Sequence, residues 1–224
     1  MSEPVKTRRR YESPRRQEQA AQTRADILAA AGTLFRSRGY AGTSMPAIAA
    51  EAGVVVETIY RSYGSKAGLF RAVVEAVLAG GTSRAEVPVE ERPAIRAVID
   101  EPDSHRQVAR YAATQPGIHR RSGELLRALH AAAPTDPELQ KLWDEMEAWR
   151  YSGQSRFVAM MAEQGRLRPE LPVQEACDIV WTLCSLAVHD LLVLGRGWNY
   201  DRYEAWLAEV LARELLAGEM QHSR

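Results

Sequence analysis

Cysteine is nearly absent: Cys177 and Cys184 are the only two in 224 residues. Seven positions apart on a helix, they would share a face but stand about 10 Å apart along its axis. That is beyond the reach of an intrachain disulfide, so both read as small buried apolar residues. Long apolar runs are missing as well, and none approaches the roughly 20 residues of a bilayer span. The N-terminus is polar and arginine-rich, unlike a secretory signal. The expectation is a cytoplasmic protein that does not engage a membrane. Catalytic signatures are also lacking: no nucleophile motif, glycine-rich phosphate loop or paired-acid constellation occurs. His189 and Asp190 are helix neighbours, predicted to face different directions. His119 and His130 lie about three turns apart without a carboxylate at metal-ligand spacing. An enzyme is therefore disfavoured, and no metal or cofactor is expected. Strand alternation is absent too, which leaves an all-α chain.

Net charge is zero, but it is divided unevenly. Residues 1–71 hold 12 lysines and arginines against 6 acids, and residues 72–224 hold 17 against 23. A basic front implies an anionic partner, and the acidic back a neutral or cationic one. Residues 1–17, with Arg8-Arg9-Arg10 and Arg15-Arg16 among prolines, read as a basic arm that either touches DNA or solubilises the chain. Helix one is predicted over 18–37, where Ile27, Ala30, Ala31 and Leu34 repeat at helical spacing.

The stretch Thr43–Phe70, TSMPAIAAEAGVVVETIYRSYGSKAGLF, carries the most information. Two short helices, about 44–52 and 55–62, flank Gly53, where the chain must swing through a conformation a side chain resists. Ile48, Ala49 and Ile59 face inward. This spacing fits a helix-turn-helix whose second helix can enter the DNA major groove. Val56, Glu57, Arg61 and Ser62 are left facing outward. Ser65 is a predicted cap for a fourth helix ending at Ala79, and Gly80-Gly81-Thr82-Ser83 marks a domain boundary.

Arg24-Ala25-Asp26-Ile27-Leu28, Phe35, Gly39-Tyr40, Thr43-Ser44, Ile48-Ala49, Ala52-Gly53-Val54, Thr58-Ile59-Tyr60 and Tyr63-Gly64-Ser65-Lys66 with Leu69-Phe70 together resemble the N-terminal domain of TetR-family transcriptional regulators. The likeness is strong over the first third of the chain. It is looser behind, through Leu167-Arg168-Pro169, Gly197-Trp198 and Arg202-Tyr203-Glu204-Ala205-Trp206-Leu207. Two positions depart from the family pattern: Tyr63 stands where Phe is commonest, and Gly68 where a better helix former is usual. The resemblance implies phosphate contacts from Thr43, Tyr60 and Lys66, in a DNA-facing set that also takes in Ser44 and Thr58. Base-reading candidates are Val55, Val56, Glu57 and Arg61; Arg61 could fork onto guanine and a valine methyl could meet a thymine methyl. A dimer would read a near-palindromic operator on double-stranded DNA.

Behind residue 80, helices are predicted near 90–100, 104–114, 117–132, 136–164, 173–195 and 200–217, punctuated by prolines. The segment 173–195 is apolar on two faces and needs cover on both. A second subunit is the expected source, through Val180, Cys184, Val188 and Leu191 together with Trp206 and Val210 of the last helix, as a four-helix homodimer seam. The resemblance further implies an apolar effector pocket in this half. Candidate lining residues are Tyr111, His119, His130, Trp143 and Met146, with Trp149, Tyr151, Met160 and Trp181. The whole reads as a basic arm (1–17), a helix-turn-helix domain (18–80) and a helical ligand-binding and dimerisation domain (81–224). The expected function is a dimeric DNA-binding regulator, a repressor released by a small apolar ligand. An activator, or a regulator whose back half binds a protein, are the alternatives.

Overall fold

The structure, a computed structural model, describes residues 14–80 and 87–217, and every regular element among them is helical. It divides into two compact units at Val73/Val74, seven residues before the boundary expected at Gly80-Gly81. Residues 1–13 of the expected basic arm, and Gly81-Thr82-Ser83, lie outside the described residues.

In the first unit, α1 (Pro14–Arg38) starts four residues earlier than expected. Proline at the first position loses no helical hydrogen bond and supplies a helical φ, so residues 14–17 belong to the helix rather than to an arm. Ile27, Ala31, Leu34 and Phe35 form its buried stripe. Next come α2 (Met45–Glu51) and α3 (Val56–Tyr63), then α4 (Lys66–Ala79), which ends where the sequence placed it. Ser44 caps α2, its Oγ accepting from the Ala47 N–H at 3.3 Å. Gly53 makes the turn at φ +67°, a conformation that costs side chains with a Cβ. Gly68 is explained by space: a Cβ there would run into the Tyr63 carbonyl oxygen. The Phe35, Tyr40 and Phe70 rings close the centre, with centroids 4.9–5.7 Å apart.

The second unit packs α5 (Pro93–Ile99), α6 (Ser104–Ala132), α7 (Pro137–Glu163), α8 (Val173–Leu183), the single turn α9 (Leu186–His189) and α10 (Tyr200–Leu215). Two expectations fail here. Pro116 does not divide α6, which runs unbroken across it. The proline forgoes one backbone bond, while Ala112, Gln115, His119 and Ser122 stay buried on both sides of it, and their packing outweighs that loss. Conversely, the segment 173–195 is not one helix. Ser185 adopts an extended conformation and its Oγ accepts from the Val188 N–H at 3.2 Å, so a side chain competes with the helical ladder. The chain bends there by 42° and continues as α9 and a π-helical turn, Asp190–Leu194. Among the described residues no single helix is long and apolar enough to cross a membrane.

The core of this unit is built from Val108, Ala112, Val158, Met161, Val180, Leu207, Leu211 and Leu215, with Tyr203 fully buried among them. Val180 and Cys184 therefore point into their own subunit. They were expected on a dimer seam, but the bend at Ser185 turns the surface, leaving Val188, Trp206 and Val210 only partly covered and Leu191 exposed. Both cysteines are buried and free. A charge knot ties the start of α6 down: the covered Glu101 carboxylate accepts from the exposed Arg110 Nε at 2.7 Å and Arg106 Nε at 3.0 Å. These bonds pull its carboxyl down to about 2.

Candidate nucleic-acid interface and ligand cavity

The outward face of α3 is raised on a rigid base. Ile59 is fully buried, whereas Val55 is 65% and Tyr60 49% exposed, an unusual presentation for a large apolar and an aromatic residue. Glu57 and Arg61 are also exposed, and Val56 and Thr58 partly so. Tyr60 thus offers its hydroxyl outward, and Val55 an apolar contact. Lys66, in the first turn of α4, holds Nζ 4.2 Å from the centre of the Tyr40 ring. The ring fixes the ammonium through a cation–π contact, beside a helix start that favours anions.

Thr43 departs from its expected role. It is 2% exposed, and its Oγ1 lies 2.8 Å from the Gly39 carbonyl oxygen and 3.1 Å from that of Leu34. Its backbone N–H donates to Tyr40 O at 3.2 Å. Hydroxyl and amide are both spent on the end of α1, so Thr43 fastens α1 to α2 and does not hold a phosphate. Ser44, exposed at the start of α2, keeps a position facing outward. Thr43→Val is expected to lower stability by about 1–2 kcal/mol, the cost of stranding buried carbonyls. The salt dependence of DNA binding should not change; a shallower salt slope would restore Thr43 as a phosphate ligand. Tyr63 carries a buried hydroxyl with no partner, and burial raises its pKa.

The second unit holds a cavity of about 590 Å³. Its inner wall is made by lining residues that are themselves buried: Tyr111, Gln115, His119, Met146, Gln154 and Cys184. Trp143, Ile95, Ile118 and Leu126 widen the apolar surface. Its rim carries exposed Trp149, Arg121 and Arg156. Mostly apolar walls with a few polar groups are what small-molecule sites have in common.

Five of the nine expected lining residues are there: Tyr111, His119, Trp143, Met146 and Trp149. The other four serve packing. His130 lies against the Trp143 ring at 4.5 Å, the Tyr151 hydroxyl meets Asp178 at 3.3 Å, Met160 packs on the core, and Trp181 lies beneath the Arg150 guanidinium at 4.8 Å. The sequence reading missed Gln115 and Gln154. Their amides fall on otherwise apolar helix faces, a signal that was available.

Behind His119 lies a polar cluster that the sequence reading did not foresee. The His119 and His189 ring centres are 4.7 Å apart, and Tyr203 stands edge-on to both. His189 and Asp190, expected to diverge, meet instead: Nδ1 and Oδ1 are 2.8 Å apart. Neighbouring side chains diverge on a regular helix, but Asp190 opens the π-helical turn. Arg127 Nη1 donates to both Asp190 oxygens, at 3.0 and 3.2 Å. Burial and the neighbouring His189 push the His119 pKa down to about 3. Burial also pushes the Cys184 thiol up to about 12, which makes it a poor nucleophile. Among the described residues no group of three or more His, Cys, Asp or Glu side chains could hold a metal.

Residues 27–73 match the sequence profile of bacterial regulatory proteins of the tetR family. No curated protein matches the chain. Solved structures share the fold. A candidate transcriptional regulator from Saccharomonospora viridis, in complex with choline, has a TM-score of 0.64 at 18% identity, over 88% of this chain and all of that one. A candidate TetR-family regulator from Mesorhizobium loti has a TM-score of 0.60 at 20% identity, over 88% of this chain and 98% of its own. The regulator FadR from Bacillus subtilis, in complex with stearoyl-CoA, has a TM-score of 0.63 at 14% identity, over 83% and 96%. With a helix-turn-helix whose second helix exposes its outer face and an all-helical second unit, residues 27–73 match the DNA-binding domain of tetR-family bacterial regulatory proteins, and the chain as a whole shares the fold of these regulators.

Proposed function

We propose that this regulator is a cytoplasmic homodimeric repressor that occupies a near-palindromic operator and releases it when a small, largely apolar molecule fills the cavity of its second unit. The observation that carries the reading is the pairing of two features in one chain. One is an outward face of Val55, Glu57, Tyr60 and Arg61 at α3 on a buried base; the other is a mainly apolar cavity. Choline and stearoyl-CoA in the similar folds support a ligand there. Exposed Leu191 (68%) and Leu194 (60%), beside half-covered Trp206 and Val210, support a second subunit as the cover. Any ligand that favours the weakly DNA-binding state must, by linkage, lower operator affinity by the same factor by which DNA lowers its own.

On this reading Tyr60 and Lys66 contact phosphates, with Ser44 and Thr58 at the edge of the same face, while Val55, Val56, Glu57 and Arg61 read bases. The experiment is DNA binding measured against salt. Lys66→Ala should weaken binding to every duplex and reduce the log–log salt slope by about one. Arg61→Ala should relax preference at a single operator position in selection from random duplexes. An unchanged slope for the first variant, or uniform loss for the second, removes that residue from its role. Failure of the wild type to bind genomic fragments in dilute buffer overturns the reading as a whole.

A further inference from the structure

Buried polar atoms nearly always find a partner, yet four around the cavity's inner wall have none: both ring nitrogens of His119, Nε2 of His189 and the Tyr203 hydroxyl. They belong to one cluster, because the His119 ring lies 4.7 Å from the His189 ring and 6.2 Å from the Tyr203 ring. His119 is 94% buried and lines the cavity. The other polar side chains of the inner wall each have a partner. Gln154 accepts from Arg150 at 3.3 Å, Gln115 donates to Thr114 at 2.9 Å, and Arg150 is held by Glu147 at 2.7 Å and the Trp181 carbonyl at 2.8 Å. The inner wall around His119 therefore presents no uncommitted charge to an ion.

Taking the cavity as the effector site proposed above, we infer that its ligand is an uncharged apolar molecule bearing a hydroxyl, an alcohol or phenol, with that hydroxyl hydrogen-bonded to His119. A neutral imidazole offers one N–H donor and one lone pair. A hydroxyl both donates and accepts, so it satisfies the ring in either tautomer. An ionised head would have to leave water without a free counter-charge. A quaternary ammonium would gain from the Tyr111 and Trp143 faces but would find the one carboxylate among the described lining residues, Glu147, already paired with Arg150 at 2.7 Å. His189, with Nδ1 on Asp190 and Asp190 on Arg127, backs the ring on the side away from the ligand.

The test uses four probes that share one body: 4-propylphenol, 4-propylanisole, 4-propylbenzoate and 4-propylphenyltrimethylammonium, titrated calorimetrically into the full chain. The phenol should bind about tenfold tighter than the anisole, the usual worth of one hydrogen bond to a buried group. The two ions should bind more weakly than either. His119→Phe should bring phenol and anisole to equal affinity, and His119→Gln, which keeps a donor and an acceptor, should retain part of the preference. If His119→Phe does not fold by circular dichroism, His119→Met makes the same comparison. Equal binding of phenol and anisole by the wild type means that water alone satisfies the cluster; the hydroxyl inference then falls and the cavity stands. Benzoate or the ammonium binding most tightly overturns the uncharged class. A phenol preference that survives in the Phe or Met variant removes His119. Binding of none of the four overturns both this inference and the effector reading beneath it.

Discussion

Phe35→Ala should abolish operator binding at 25 °C without touching the cavity. The ring is fully buried and packs 4.9 Å from Phe70 and 5.7 Å from Tyr40, centre to centre. Truncating a buried Phe costs about 3–5 kcal/mol, from lost transfer energy and the void left behind. A unit of some sixty residues has little more than that to spare. The loss also reaches function locally. Tyr40 is held by the same ring stack, and Lys66 is held by Tyr40 at 4.2 Å, so removing Phe35 loosens the cation that is to meet phosphate. Urea unfolding followed by tyrosine-sensitive probes should show an early transition in the variant. Affinity for the probe set above should match wild type, because Phe35 lies outside the unit that forms the cavity. Phe35→Leu, a smaller change in volume, should cost under about 1.5 kcal/mol and keep binding. An alanine variant that still shifts DNA with wild-type affinity would show that the ring stack does not support the interface.

What the sequence made legible follows from how local each determinant is. The α2–turn–α3 unit depends on Ser44, Gly53 and inward Ile48 and Ile59, all within sixteen residues, and each behaves as its type dictates. Gly68 looked like a poor helix former until the Tyr63 carbonyl showed that no Cβ fits there. Thr43 shows the limit. A threonine ahead of a helix can turn its hydroxyl outward to phosphate or inward to α1, and only the packed partner, here the Leu34 and Gly39 carbonyls, decides. Pro116 and Ser185 were misjudged in opposite directions for one reason. Local rules break a helix at proline and pass over a serine in an apolar run, but burial held α6 straight while the Ser185 hydroxyl ended α8. That break put Val180 and Cys184 in the core and opened the turn that lets Asp190 reach His189. Which aromatics line a cavity depends on how five helices close around it, and no window of sequence carries that arrangement.

His119 gives the second unit a stability that acid should drain through a defined window. Its folded pKa, near 3, lies below the ordinary value of 6.5. As pH falls the unfolded chain therefore takes up this proton first. The contribution is whole above about 6.5 and is lost progressively toward 3, at up to about 1.4 kcal/mol for each pH unit. Burial is the largest cause of the low value, and His189, Arg150 and Arg127 also disfavour a second positive charge, while Asp190 alone favours it. Glu101 loses stability in a lower window, between its ordinary 4.5 and about 2, as its bonds to Arg110 and Arg106 are protonated away. The two windows separate between pH 6.5 and 4.5, where His119 acts and Glu101 does not. Over that interval wild type should lose about 2–3 kcal/mol more than His119→Phe in urea denaturation, whatever the variant's stability at neutral pH. Between pH 4.5 and 3 the Glu101 loss adds to that of His119 in the wild type, and only below about pH 3 should both proteins fall together. A filled cavity should extend the wild-type loss below about pH 3 without steepening it, because a hydroxyl held by neutral His119 lowers the folded pKa further. Parallel curves for wild type and variant between pH 6.5 and 4.5 would mean that His119 charges freely in the folded protein, and the cluster behind it would then be open to water.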